Sequence, residues 1–287
     1  MNHSPVQTVG VIGGGTMGAG IAYVFAEAGC HTVVIADSDQ SRADHARETI
    51  VSRADKLRNQ SRLESESVER IRSVVSTVGS VDHLPVDLDL IIEAVPESLD
   101  LKLDVLAAAE RREPVMLATN TSALSISRLA SGLQRPSNLI GLHFFNPVWT
   151  MPLLEIICGT ATSDDVVTTA REIGDYLNKE TIIVRDVPGF ATSRLGLALG
   201  LEAIRMLEDN VASAADIDRA MELGYRHPMG PLRLTDLVGL DVRLDIAEQL
   251  SASLGPRFAP PQLLIDKVAA GELGKKSGRG FFDWSRR

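Results

Sequence analysis

The chain has 287 residues, 44% of them hydrophobic and 23% charged, with a formal net charge of −9. That length allows one or two domains with sizeable cores, and the acidic balance argues against general nucleic-acid binding. No apolar run is long enough to span a bilayer, and a polyanionic substrate would need a local basic patch.

The first strand is expected over residues 9–12, which leaves no room for a signal peptide and points to the cytoplasm. Gly13, Gly15 and Gly18 follow in G-x-G-x-x-G spacing, with Thr16 and Met17 inside it, and an apolar helix begins at once. The first glycine permits a tight turn and the second lets the backbone approach a pyrophosphate. The third lets helix and strand pack closely, and the helix N-terminus aims its N–H groups at the phosphates. A glycine-rich turn alone can also bind nothing, so context decides. Here Gly29 closes the helix, residues 32–36 read as a second strand, and Asp37 ends it nineteen residues past Gly18. A carboxylate there can accept both ribose hydroxyls and repels a 2′-phosphate, which favours NAD over NADP. Ser38, Asp39 and Gln40 come next, so no basic residue immediately offsets that charge.

Residues 40–77 are charged and helix-rich, broken near Asn59, Gln60 and Ser61, and are expected to form a protruding helical hairpin. Within it Arg53, Lys56 and Gln60 fall at i, i+3 and i+7 on one polar face. That face either holds phosphates or is an ordinary solvated surface. Strand-like runs return at 73–78, 88–95, 115–119 and 139–144, separated by helical or turn sequence. This alternation is the doubly wound parallel pattern. Residues 153–158 and 181–184 add two strands around a helix over 165–178. From Phe190 onward only helices are expected, over 191–208, 214–223, 232–254 and 261–270. Ser213 and Asp216 fit an N-terminal cap for the second of these. The boundary falls at Asp186-Val187-Pro188-Gly189. The expected organisation is therefore α/β: a Rossmann-type doubly wound sheet domain over 1–186, then an all-helical domain over 187–287. Cys30 and Cys158 lack metal-ligand spacing and read as two buried free thiols, and no metal site is expected.

Open α/β sheets place their ligands at the carboxyl ends of the strands. His143 stands where one strand runs out into Phe144-Phe145-Asn146-Pro147, and twelve residues later Glu155 interrupts the apolar run Leu153-Leu154-Glu155-Ile156-Ile157. A carboxylate in such a strand needs a partner if buried. The turn at 146–152 could fold its strand back and bring Glu155 to His143, making an oriented general base. A backbone-bonded core histidine and a water-facing edge glutamate are the other readings. Ser122, in Asn120-Thr121-Ser122, can bond a substrate oxygen or cap a helix. Glu97 and Lys102 either face the nicotinamide side or form a solvated helix start. His227 sits in a turn-rich loop that gives it no clear catalytic role.

Together these segments resemble the L-3-hydroxyacyl-CoA dehydrogenases, and among them the short 3-hydroxybutyryl-CoA dehydrogenase type. The resemblance runs from Val9 to Trp284. It is carried by Gly13–Ala22, Ile92-Glu93-Ala94-Val95-Pro96-Glu97, Asn120-Thr121-Ser122 and His143-Phe144-Phe145-Asn146-Pro147. Pro188-Gly189-Phe190, Met229-Gly230-Pro231, Asp236–Asp241 and Gly274–Phe281 extend it. It implies oxidation of a short-chain L-3-hydroxyacyl-CoA by NAD in fatty acid metabolism, and the reverse reaction. It further implies a catalytic His143–Glu155 pair, with Ser122 and Asn146 contacting substrate or nicotinamide. Glu97, Lys102 and Lys276 would lie around the cofactor, CoA phosphates would meet the hairpin at Arg53 and Lys56, and the helical domain would form a homodimer. One position departs from the family: Ser193 stands before Arg194 where the family has a substrate-side asparagine. That leaves open a dehydrogenase of a non-CoA hydroxy acid, carnitine- or gulonate-like. A dinucleotide-binding protein without catalysis is a third reading, which His143, Glu155 and Ser122 oppose.

Overall fold

In the computed structural model, which describes residues 5–285, runs rich in Val, Ile and Leu form strands that are for the most part buried on both faces. Such two-sided burial suits β-branched side chains in parallel sheets. The chain divides into two compact units, one ending at Asp186 and the other beginning at Val187.

The first unit contains β1 (Thr8–Ile12), α1 (Thr16–Ala28), β2 (Thr32–Ala36), α2 (Gln40–Asn59), α3 (Ser65–Val74) and β3 (Val75–Val78). It continues with β4 (Leu90–Glu93), α4 (Leu99–Glu110), β5 (Met116–Thr119), α5 (Ile126–Ala130), β6 (Leu139–Phe144), β7 (Leu153–Cys158), α6 (Asp164–Tyr176) and β8 (Glu180–Arg185). The strands make one eight-stranded sheet in the order β3-β2-β1-β4-β5-β6-β7-β8. All neighbours are parallel except β6 and β7, which are antiparallel. The order reverses between β1 and β4, which is where a doubly wound sheet opens its ligand crevice. Val9, Val11, Ile21, Phe25, Ile35, Ile92, Leu142 and Ile156 lie in the core of this unit.

Several boundaries differ from the sequence reading. The strand expected from residue 73 begins at Val75 because α3 runs through Val74, and the run at 88–95 pairs only over Leu90–Glu93. Cys158 is half-buried rather than buried, while Cys30 is buried.

The second unit is helical: α7 (Thr192–Glu208), α8 (Ala214–Gly224), α9 (Pro231–Val238), α10 (Leu240–Leu254) and α11 (Gln262–Ala269). The single helix expected over 232–254 is in fact α9 and α10, because Gly239 takes φ 106° and ends the first of them. A Cβ at Gly239 would press on Asp241 Oδ1 at 2.9 Å, so glycine suits this break twice over. No helix among the described residues is long and apolar enough to cross a membrane.

A buried carboxylate organises the end of this unit. Asp236 of α9 is 1% exposed and accepts from the Phe281 N–H at 2.9 Å, the Phe282 N–H at 2.9 Å and Trp284 Nε1 at 2.8 Å. The C-terminal turn is thus pinned to α9 by three charge-assisted bonds. Asp236→Ala is expected to cost about 2–4 kcal/mol, because it strands those donors. Thermal unfolding followed by circular dichroism measures it, and an unchanged midpoint would show that the turn is held elsewhere.

Candidate active site

The loop after β1 has the geometry a pyrophosphate requires. Gly13 adopts φ 111°, and a Cβ there would stand 2.7 Å from Ala94 O. A Cβ at Gly18 would overlap the Gly13 carbonyl oxygen, so this spacing between strand and helix admits only glycine. Nothing lies within 4 Å of the Cβ position of Gly15, and no side chain caps the N-terminus of α1. Gly15 and Thr16 are exposed and Met17 is half-buried, so the first-turn backbone fits phosphate oxygens. Asp37, at the end of β2, accepts from the Gly14 N–H at 2.8 Å, which ties that carboxylate to the glycine-rich loop. The sequence reading found no basic residue immediately after Asp37. Arg42, on the first turn of α2, nevertheless reaches Asp37 Oδ1 through Nε at 3.1 Å and Nη2 at 2.9 Å.

Ile12, Glu93, Thr119 and Gly141 lie in register across β1, β4, β5 and β6, and His143 is two residues beyond them at the carboxyl end of β6. Antiparallel pairing sets His143 directly opposite Glu155. Side chains at opposed positions share a face of the sheet, so the two meet. His143 Nδ1 is 2.7 Å from Glu155 Oε2, with His143 7% exposed and Glu155 fully buried. The imidazole also packs against Phe145, with ring centroids 4.4 Å apart.

The turn between these strands is clamped from several sides. Val148 fits against Gly20 of α1, where a Cβ would meet Val148 Cγ2 at 2.7 Å. The buried Lys179 donates to Val148 O and Met151 O, each at 2.6 Å, and burial lowers the basicity of its amine. Trp149 meets Tyr23 edge-on, and the Arg53 guanidinium lies 4.2 Å above Trp149 and 5.0 Å above Tyr23. Arg53 is therefore half-buried against aromatic rings, not on an open polar face, while Lys56 is exposed. Asn146 is exposed on the same turn.

A buried ion pair braces the next strand ends. Lys102 Nζ donates to Glu93 Oε1 at 2.6 Å and to Val95 O at 3.1 Å, and lies 3.3 Å from Glu97. Thr119 Oγ1 donates to Glu93 Oε2 at 2.7 Å. Burial pushes the Glu93 carboxyl above its usual range, against the pull of the Lys102 ammonium. Glu97 accepts from Thr121 Oγ1, from the Ser122 N–H at 2.9 Å and from the Ala123 N–H at 3.1 Å. Lys102 is thus no solvated helix start: it is 1% exposed and supports the loop that carries Ser122. Sequence reasoning missed Glu93 and Asn120. Glu93 was signalled by an acid closing the apolar run Leu90-Ile91-Ile92. Asn120 Oδ1 accepts from the Phe144 N–H at 2.9 Å, a long-range tether that no spacing announces.

In the helical unit, Ser193 is half-buried in the first turn of α7, and Lys276 is paired with Asp241. Among the described residues no cluster of His, Cys, Asp or Glu could hold a metal.

A doubly wound sheet with a phosphate-cradling first loop and an imidazole–carboxylate pair at a strand end defines a dinucleotide-dependent oxidoreductase. Family models described as the NAD binding domain and the C-terminal domain of 3-hydroxyacyl-CoA dehydrogenase match residues 8–187 and 189–284. The chain belongs to the 3-hydroxyacyl-CoA dehydrogenase family, and its cofactor is NAD. A 3-hydroxybutyryl-CoA dehydrogenase from Clostridioides difficile is 40% identical over 279 residues, 96% of this chain and 99% of that one. The crystal structure of (S)-3-hydroxybutyryl-CoA dehydrogenase from Ralstonia eutropha has a TM-score of 0.93 at 37% identity, covering 98% of this chain and 100% of that one. A diketoreductase structure described as acting on dicarbonyl compounds has a TM-score of 0.83 at 28% identity, covering 97% and 99%.

Lys102→Met leaves the Glu93 carboxylate buried beside an apolar side chain. The expected cost is about 3–5 kcal/mol of stability, and the double variant Glu93→Gln/Lys102→Met should recover part of it. Chemical denaturation of the three proteins measures this. Equal losses in the single and double variants would contradict the pairing.

Proposed function

We propose that the enzyme interconverts a short-chain L-3-hydroxyacyl-CoA and its 3-oxoacyl-CoA, with His143 as general base. The 2.7 Å contact between His143 Nδ1 and the buried Glu155 carries this reading. Because Nδ1 faces the carboxylate, Nε2 is the nitrogen that accepts the 3-hydroxyl proton, and Glu155 stabilises the imidazolium that results. Bound NAD supplies the acceptor for the hydride from C3. Its pyrophosphate would rest on the backbone of Gly13, Gly15, Thr16, Met17 and Gly18, and its adenosine ribose on Asp37. Ser122 and Asn146 present hydroxyl and amide groups to the substrate carbonyl or the nicotinamide. Glu97 and Lys276 belong to the cofactor's surroundings, and Lys102 acts there by holding Glu93 and Glu97. Ser193 serves the substrate through its hydroxyl, directly or through a water. Lys56 is the exposed cation on α2 suited to CoA phosphates, whereas the stacked Arg53 must act from its place over Trp149.

The helical unit is the proposed homodimer surface; Leu195, Leu223 and Tyr225 are among its exposed apolar side chains. Ser193, in place of the family asparagine, favours a second reading, a dehydrogenase of a free hydroxy acid. The similarity to a diketoreductase supports that alternative at the level of the shared scaffold.

Turnover of acetoacetyl-CoA with NADH, followed at the nicotinamide absorbance, separates the two. His143→Gln should lower kcat by about two to four orders of magnitude, the usual contribution of a positioned base, with NADH affinity little changed. Near-normal turnover by that variant would remove His143 from the mechanism. Reduction of a free oxo acid with no reaction on any CoA thioester would establish the second reading instead.

A further inference from the structure

The carboxylate proposed for the adenosine ribose is already fully bonded. Asp37 Oδ1 accepts from the Asp39 N–H at 3.0 Å and from Arg42 through Nε at 3.1 Å and Nη2 at 2.9 Å. Oδ2 accepts from the Gly14 N–H at 2.8 Å. A carboxylate offers about four lone-pair sites, so these donors fill it. Ribose hydroxyls need places on the same oxygens, and a donor must yield them. The Gly14 and Asp39 donors are backbone groups, fixed by the loop after β1 and the turn into α2. The Arg42 side chain is 61% exposed on a long stem, so it is the donor that moves.

The guanidinium then finds a different neighbour with each dinucleotide. Its Nη2 starts 2.9 Å from the oxygen that the ribose would use. A group carried on a 2′-hydroxyl held at Asp37 therefore stands beside this cation. With NAD the displaced guanidinium meets water. With NADP it meets an anionic phosphate that its fork matches. The approach is open, since Ser38, Asp39, Gln40 and Ser41 are all exposed.

Neighbouring charges set how far this goes. Asp39 Oδ2 lies 4.0 Å from Arg42 Nε, and its Oδ1 caps α2 through the Ser41 N–H and hydroxyl. Asp44 accepts from Thr77 Oγ1 and Gln40 Nε2, and Arg47 donates to Val75 O and Arg72 O. Beside the ribose position, then, one guanidinium faces the two carboxylates of Asp37 and Asp39. Arg42 cancels part of the repulsion that Asp37 alone would exert on a 2′-phosphate, and NAD remains the better ligand.

We propose that Arg42 is a cofactor-selecting residue that admits the adenosine 2′-phosphate, so that the site also binds NADP(H), with a narrowed preference for NAD(H). The proposal rests on the placement of the adenosine ribose at Asp37 given above. A role confined to holding Asp37 in place would have the opposite signature, because removing Arg42 would then weaken NADH and spare NADPH.

Equilibrium binding of NADH and NADPH to the full chain, followed by nicotinamide fluorescence, tests this without turnover. Wild type should bind both, NADH the more tightly. In Arg42→Ala the ratio of NADH to NADPH affinity should rise by about 10–100-fold through loss of NADPH binding, the range for a hydrogen bond to a charged group. Arg42→Lys, a cation without the fork, should fall between. Asp37→Asn keeps the side chain's shape but not its charge, and should weaken NADH while tightening NADPH. A ratio unchanged in Arg42→Ala, with NADH weakened by Asp37→Asn, would overturn the proposal and leave the ribose at Asp37. A ratio that falls in Arg42→Ala through loss of NADH binding would make Arg42 a support for Asp37 and overturn it equally. NADH affinity unchanged in Asp37→Asn would remove the ribose from Asp37, and the proposal with it.

Discussion

The candidate site depends on the register of one antiparallel strand pair. His143 and Glu155 are opposite each other because β7 turns back along β6, the one antiparallel junction in an otherwise parallel sheet. A slip of one residue would carry every side chain of β7 to the other face and leave a buried carboxylate without its imidazole. The molecule guards that register at the turn: Val148 sits in the notch at Gly20, Lys179 holds two carbonyl groups, and Trp149 is stacked beneath Arg53. These groups lie on α1, on α2 and just before β8, so the clamp is distributed over the unit and not local to the turn.

The same economy recurs wherever charge is buried. Glu93 and Lys102 offset one another and share their remaining bonds with Thr119, Val95 and Glu97, so that the ends of β4 and β5 are braced together. Asp236 is buried against two backbone N–H groups and an indole nitrogen, and Asp218 against two N–H groups of α9. Against this pattern of matched groups, Arg243 stands out. Every one of these acids has partners that satisfy it within the chain, whereas Arg243 Nε is buried with no hydrogen-bond partner among the described residues.

Much of this was legible in the sequence, for particular reasons. The glycine spacing could be read because the glycines answer to steric limits of a strand–turn–helix unit, and Asp37 because its place at the end of β2 is fixed by that unit. The meeting of His143 and Glu155 could be read because a short turn between two apolar strands leaves few ways to bury a carboxylate. The break at Gly239 was missed because the apolar periodicity continues through it, and only its left-handed backbone ends α9. Lys102 and Arg53 were read as possible surface charges because helix spacing says which residues share a face, not what covers that face. The Arg42–Asp37 bond and the Asn120 tether depend on where side chains reach across the fold, which no local pattern encodes.

The central claim is that Glu155 fixes the protonation of His143, leaving Nε2 to act as the base. Nitrogen NMR of ¹⁵N-histidine-labelled enzyme reports the tautomer directly, with the His143 signals identified by their loss in His143→Gln. At a pH where the ring is neutral, the account predicts the proton on Nδ1 and an unprotonated Nε2, with that preference weakened in Glu155→Gln. A neutral ring protonated at Nε2 in the wild type, unaffected by Glu155→Gln, would contradict it.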